Sequence, residues 1–305
     1  MTPEFVRTPD ERFAQLPDFP YAARYVDSLL GYEGLRAAYI DEGPKDATQT
    51  FLCLHGEPSW SFLYRKMIKV FLASGARVVA PDLFGFGRSD KPVDDAVFGF
   101  HFHRNMLLRL VEFLDLKNIT LVVQDWGGVI GLTLPVDKKF EQRLGRLIVM
   151  NTAILTGRPA GPGFEAWKAF AASQQDLPIG ALMKRSTPLL TDAEVLAYDA
   201  PFPGVRHKAG ARAFPQRVMV SPDMEGVDES LAAMEFWSSR WTKPTFMAWG
   251  LADPMFPEPV MHSLRKRIAG CPEPMLIADG GHFVQEWGTP IAEAALHAFG
   301  DLVQD

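Results

Sequence analysis

Apolar positions along this chain follow two alternating rhythms. Short continuous runs, LRAAYI (35–40), TFLCLH (50–55), ARVVAPD (76–82), NITLVVQ (118–124), RLIVM (146–150), PTFMAWG (244–250) and PMLIADG (274–280), predict buried strands. Between them SFLYRKMIKVFLA (61–73), the segment from Arg104 to Leu114, VDESLAAMEFWSSRW (227–241), PVMHSLRKRIAG (259–270) and PIAEAALHAFGDLV (290–303) predict helices, and a further helix opens at Gly127. A Pro/Tyr/Phe-rich leader (3–25) precedes them. Such alternation builds an α/β fold, a mostly parallel sheet flanked by helices on both faces. Past Asn151 the rhythm breaks. Gly, Pro and short helical pieces such as FEAWKAFAA and TDAEVLAY follow, with no strand pattern. The chain therefore divides into an α/β core over 1–155 and 221–305 and an inserted helical cap over 156–220.

In an open parallel sheet, ligands sit beyond the carboxyl ends of the strands. Four polar residues fall there: His55, Asp125, Asp253 and His282. Singly, each has an ordinary structural explanation. Asp125 is a good helix cap, Asp253 precedes Pro254 as turn residues do, and His282 follows Gly280 and Gly281 in a loop. Together, the order acid, acid, histidine is that of a nucleophile, an orienting acid and a base in α/β-hydrolase architecture. The elbow reads Val123-Gln124-Asp125-Trp126-Gly127-Gly128. Its glycines allow a sharp strand-to-helix turn, although Val123 stands where the usual serine motif has a small residue. His55 opens HGEPSW and takes a structural role, and that loop could set the Glu57 backbone N–H opposite that of Trp126 as an oxyanion hole.

An aspartate at the elbow changes the chemistry. Serine attack at a saturated carbon would leave an ether, whereas carboxylate attack leaves an ester that activated water can hydrolyse. The leaving group then sits on an sp³ carbon and needs donors. Trp126 supplies one indole N–H beside the nucleophile, and Trp167, the only tryptophan of the cap, is the candidate second donor or else a packing residue.

Composition narrows the partners. The 305 residues are 47% hydrophobic, with 22 Phe and 12 Met, and the net charge is −6, which points away from nucleic acid and anionic membranes. Glu4, Arg7, Asp10, Glu11 and Arg12 interrupt the first residues, so no signal peptide or span is read there and a cytoplasmic location is expected. Cys53 and Cys271 are far apart and read as reduced and unliganded. His101 and His103, like the loop Arg88 to Lys91, are given structural roles, and a monomer with neither metal nor organic cofactor is expected.

The motifs FLCLHGEPSWSFLYRKM, PDLFGFGRSDKP, FHRN, LVVQDWGG, GFEAWK, FPQRV and IADGGHFVQE together resemble the haloalkane dehalogenases of the α/β-hydrolase superfamily, in the subfamily with two halide-binding tryptophans. The resemblance covers nearly the whole chain and is most specific in QDWGG followed by GFEAWK. It implies Asp125 as nucleophile, His282 as base and Asp253 as its orienting acid. It also implies Trp126 and Trp167 as halide donors, and backbone N–H groups of Glu57 and Trp126 as oxyanion hole. Phe164, Phe214, Pro215 and Val218 resemble pocket-lining positions. The implied reaction turns a short, apolar haloalkane into a primary alcohol, halide and a proton without a cofactor. An epoxide hydrolase would use the same Asp-His-Asp set but with two cap tyrosines, and the cap here has only Tyr198. Fluoroacetate-type dehalogenases carry arginine where this chain has Trp126, and an esterase would not carry aspartate at the elbow.

Overall fold

A computed structural model describes residues 2–301. Its main sheet has eight strands: β2 (Arg24–Val26), β3 (Ala37–Glu42), β4 (Thr50–Leu54), β5 (Arg77–Pro81), β7 (Ile119–Val123), β8 (Leu144–Met150), β9 (Thr245–Gly250) and β10 (Met275–Ile277). They lie in the order β10-β9-β8-β7-β4-β5-β3-β2. β3 runs antiparallel to both β2 and β5, and the pairs from β5 to β10 are parallel. A separate two-residue bridge joins β1 (Phe5–Val6) to β6 (Lys91–Pro92).

All residues of β4, β5 and β7 are buried, as expected for parallel strands covered on both faces. Register aligns their ends: Leu54 lies opposite Val123, and Val123 opposite Val149. The residues that follow these strands therefore emerge along one edge of the sheet. Around the sheet, α1 (Arg65–Ala73) packs on α11 (Gly288–Phe299), and α2 (Phe100–Phe113) on α3 (Asp125–Gly131). α4 (Lys138–Arg143), α9 (Val227–Glu235) and α10 (Glu258–Arg267) complete the core helices.

Between Met150 and Val227 the described residues hold four α-helices and no strand: α5 (Pro162–Ser173), α6 (Ile179–Ser186), α7 (Asp192–Asp199) and α8 (Ala209–Ala213). α7 starts in a capping box, with the Thr191 side chain accepting from Glu194 N–H and the Glu194 side chain accepting from Thr191 N–H.

The structure departs from the sequence pattern at element ends. β1 lies within the leader and β2 at its end, and two or three residues are too few to show an alternation. β10 is shorter than the run over 274–280, because Ala278 and Asp279 form a turn, with Gly280 N–H donating to the Ile277 carbonyl at 3.1 Å, on the way to His282. The helix read over 227–241 ends as α9 at Glu235 and continues as a wider π-type turn, Phe236–Arg240. That turn gathers Phe236, Trp237 and Trp241 into one aromatic cluster, with Trp237 and Trp241 rings 4.8 Å apart. α11 begins at Gly288 rather than at residue 290 and closes at Gly300, with φ +75. Residues 302 and 303 of that predicted helix lie outside the described residues.

Candidate active site

The helix after β7 opens at Asp125, two residues before the glycine where the sequence pattern starts it. Asp125 has φ +48, a left-handed conformation unusual for a residue with a side chain. The two residues after β8 hold it there. Asp125 N–H donates to the Asn151 carbonyl at 2.9 Å, and Thr152 Oγ1 donates to the Asp125 carbonyl at 2.7 Å. The helix starts so close to β4 that a Cβ at Gly127 would lie 2.0 Å from the Leu54 carbonyl oxygen. Room for the bulk of Val123 comes from Gly131, where a Cβ would stand 2.8 Å from Val123 Cγ1.

The carboxylate of Asp125 thus stands clear of the sheet edge. Its Oδ2 accepts the Glu57 backbone N–H at 2.9 Å, and its Oδ1 lies 3.6 Å from His282 Nε2. His282 Nδ1 is 3.0 Å from Asp253 Oδ2. A carboxylate only accepts, so Nδ1 carries the proton and Nε2 faces the Asp125 carboxylate. Asp253 is held in turn by Asn151 Nδ2 at 2.9 Å and by Met255 N–H at 2.8 Å, and Asn151 also bonds both backbone groups of Gly250 at the end of β9. Gln124 Nε2 donates to the His282 carbonyl at 2.8 Å, while Phe256 stacks on the imidazole. Asp125 and His282 are each only 8% exposed, so bulk water scarcely screens their charges.

Burial alone would lower the pKa of His282. The Asp253 carboxylate, with Asp125, outweighs that and raises it well above the ordinary imidazole value. For Asp253 burial works against ionisation, but the charge of His282 and the donors around it hold its carboxyl below the usual range. Burial, reinforced by the Asp125 charge, pushes the Glu57 carboxyl well above the usual carboxylate range.

Beside Asp125, the buried Trp126 meets Phe214 edge to face at 4.8 Å, and Phe214 rests on Phe86 and His103. Phe214 begins the turn Phe214–Arg217, where Gln216 Nε2 donates to the Lys168 carbonyl at 3.2 Å. That bond ties α5, with the half-buried Trp167 and Phe164, to the segment that covers Trp126.

Residues 49–289 match the family model of the alpha/beta hydrolase fold. The chain is 42% identical over 291 residues to the haloalkane dehalogenase of Psychrobacter cryohalolentis, covering 93% of each. It is 43% identical over 291 residues to that of Mycobacterium marinum, covering 94% of this chain and 96% of the relative. The chain belongs to the haloalkane dehalogenases of the α/β-hydrolase superfamily. Its backbone also matches the tetrameric haloalkane dehalogenase DpaA from Paraglaciecola agarilytica NO2, with 53% identity, a TM-score of 0.94 and coverage of 96% of this chain and 98% of that one.

In this haloalkane dehalogenase, Asp125, His282, Asp253, the Glu57 N–H, Trp126 and Phe214 meet at one edge of the sheet. Pro215 is buried and Val218 half-buried on the segment that follows Phe214. Trp167 and Phe164 lie half-buried on α5, whose Lys168 carbonyl accepts the Gln216 bond from the Phe214 turn. His55 holds its loop: its Nδ1 lies 2.9 Å from the Gly56 carbonyl, and its Nε2 accepts Leu83 N–H at 3.0 Å. The sequence reading missed Asn151, Thr152 and Gln124. Asn151 and Thr152 directly follow β8, so the rule that singled out the other strand-end residues would have found them.

Proposed function

We propose that this haloalkane dehalogenase works in two steps through an ester on Asp125. In the first step an oxygen of Asp125 bonds to the substrate carbon as the carbon–halogen bond breaks, and the halide leaves with the electron pair. Indole N–H groups of Trp126 and Trp167 stabilise the departing anion. In the second, His282 Nε2 takes a proton from water, and the resulting hydroxide adds to Cγ of Asp125. Charge on the carbonyl oxygen is met by the N–H groups of Glu57 and Trp126. The Cγ–O bond to the alkyl group then breaks, and the alkoxide takes the proton from His282. Product alcohol, halide and one net proton leave, and Asp125 is a carboxylate again.

The observation that carries this reading is the division of labour around one carboxylate: Oδ2 on the Glu57 N–H, Oδ1 toward His282 Nε2. Esterification removes the Asp125 charge, one of the two carboxylates that hold the His282 pKa up. The imidazole therefore becomes easier to deprotonate at the stage that needs a base.

A pH dependence follows. Ester hydrolysis should slow as pH falls through the His282 pKa in the esterified enzyme and level off above it, as read from single-turnover decay at a series of pH values. Stability should move the other way. A histidine whose pKa is raised on folding contributes fully below its unfolded value of about 6.5, and that contribution is lost as pH rises through the folded pKa. Tm should accordingly decline on the alkaline side where turnover is fastest.

Trp167→Phe keeps an aromatic ring but removes a donor. Halide inhibition should weaken by roughly tenfold to a hundredfold, the value of one hydrogen bond to a charged group, and displacement should slow with it. Unchanged halide inhibition would return Trp167 to packing.

Short, neutral, apolar haloalkanes are the proposed substrates. Trp126 and Phe214 offer no cation to a charged substrate, and Tyr198, buried and donating to Glu286, offers no acid to an epoxide. Purified protein should release halide from ethylene dibromide and n-butyl bromide in step with alcohol formation, with no diol from an epoxide assayed alongside. Diol without halide would overturn the reading.

The proposal extends to the division into core (1–155 and 221–305) and cap (156–220), to a monomer as the working unit and to a cytoplasmic location. One chain supplies every residue of the site, Cys53 and Cys271 are free, and among the described residues no helix is long and apolar enough to cross a membrane. The Paraglaciecola relative is a tetramer. Sedimentation of this protein tests its own assembly.

A further inference from the structure

Four residues after His282, Glu286 lies in the turn Val284–Trp287 with its side chain fully buried. It accepts from Arg65 Nη1 at 2.6 Å and Nη2 at 2.7 Å, and from the Tyr198 hydroxyl. Lys66 Nζ lies 3.0 Å from its Oε2 and donates to its carbonyl at 2.8 Å. Arg65 Nη2 reaches on to Glu194 Oε1 at 2.5 Å. Glu194 and Tyr198 both belong to α7 of the cap, and Trp60 Nε1 donates to the carbonyl of Ala197 on the same helix at 3.2 Å. The cluster thus joins three pieces of chain: the loop of the base, the segment running from Glu57 into α1, and cap helix α7. Its other end reaches the nucleophile, since Gln285 Nε2 donates to Gln124 Oε1 at 3.2 Å and Gln124 holds the His282 carbonyl.

Two charges buried this deeply are poor value as stabilisers, because desolvation offsets most of their attraction and apolar side chains of equal volume would do as well. What an ion pair does supply is fixed direction. The bidentate Arg65–Glu286 geometry sets the 282–287 loop in one register. We infer that Glu286 is a positioning residue for the base, a strut through which the seating of α7 fixes His282 Nε2 over the Asp125 ester. The inference rests on the assignment of His282 to ester hydrolysis. Displacement uses Asp125 and the halide donors and does not need Nε2 in place. Hydrolysis does. A loosened α7 therefore slows the second step selectively.

The test uses Tyr198→Phe and Glu194→Gln, near-isosteric changes on the cap side that leave the Arg65–Glu286 pair intact. Formation and decay of the butyl ester are followed by rapid quench and mass spectrometry after mixing enzyme with n-butyl bromide. Ester decay should slow about tenfold in each variant, as for a modest misplacement of a reacting group, while formation stays within about twofold of wild type. The decay-against-pH profile should shift as well, which mere loss of stability would not cause. Glu286→Gln should give the same selectivity with a larger effect, and if it does not fold the cap-side variants decide alone. Wild-type decay rates in folded Tyr198→Phe and Glu194→Gln, whatever their Tm, would overturn the strut. Wild-type enzyme that releases halide without forming any ester would instead overturn the roles of Asp125 and His282.

Discussion

Asp125→Asn is expected to release no halide above background, a loss on the order of 10⁴-fold or more in kcat, as when a nucleophile is removed from an otherwise intact site. The substitution isolates chemistry from structure. Asparagine tolerates the left-handed backbone that Asp125 adopts better than most residues do. Its amide oxygen can still accept the Glu57 N–H in place of Oδ2, with the amide nitrogen turned toward His282. The fold should therefore survive, with the circular dichroism of the wild type, while the neutral amide has no oxygen able to displace a halide. Halide release at more than a few per cent of the wild-type rate would mean that water attacks the substrate directly and that Asp125 serves only to orient it.

His282→Ala should separate the two halves of the reaction. Displacement requires the carboxylate and the halide donors, all retained, so one equivalent of halide should appear per enzyme and then stop. Alcohol formation should fall by roughly 10²- to 10⁴-fold, the usual contribution of a general base. The intact protein should carry the mass of one alkyl group on Asp125. Asp253 keeps Asn151 and Met255 as donors, so its buried charge is not left bare and the variant should remain folded. A variant that turned over many equivalents of halide would require another base. His55 is a poor substitute, since burial lowers its pKa and both its ring nitrogens are committed to the loop.

The legible part of this molecule was the part written locally. Continuous apolar runs announced the central strands, because a parallel strand buried on both faces has no polar side to disguise it. Asp125, Asp253 and His282 stood out because each follows such a run, and the sheet aligns the strand ends into one edge. Trp167 stood out only as the single tryptophan of the cap, and the link from α5 to Trp126 through the Lys168 carbonyl, Gln216 and Phe214 depends on how helices without a sequence period settle. Least visible was the Arg65–Glu286 pair. In GHFVQEW the glutamate looks like an ordinary surface residue, and its partner lies 221 positions away. Nothing local could reveal that it is buried. The same holds for Asn151, whose role comes from facing Asp253 across two neighbouring strands.

If the reaction runs through an ester on Asp125, the oxygen of the alcohol product comes from Asp125, and water attacks the enzyme, not the substrate. A single turnover in heavy-oxygen water, with enzyme in excess over n-butyl bromide, tests it most directly. Butanol should emerge unlabelled, with one heavy oxygen in the peptide that contains Asp125. Label in the butanol, with none in that peptide, would contradict it.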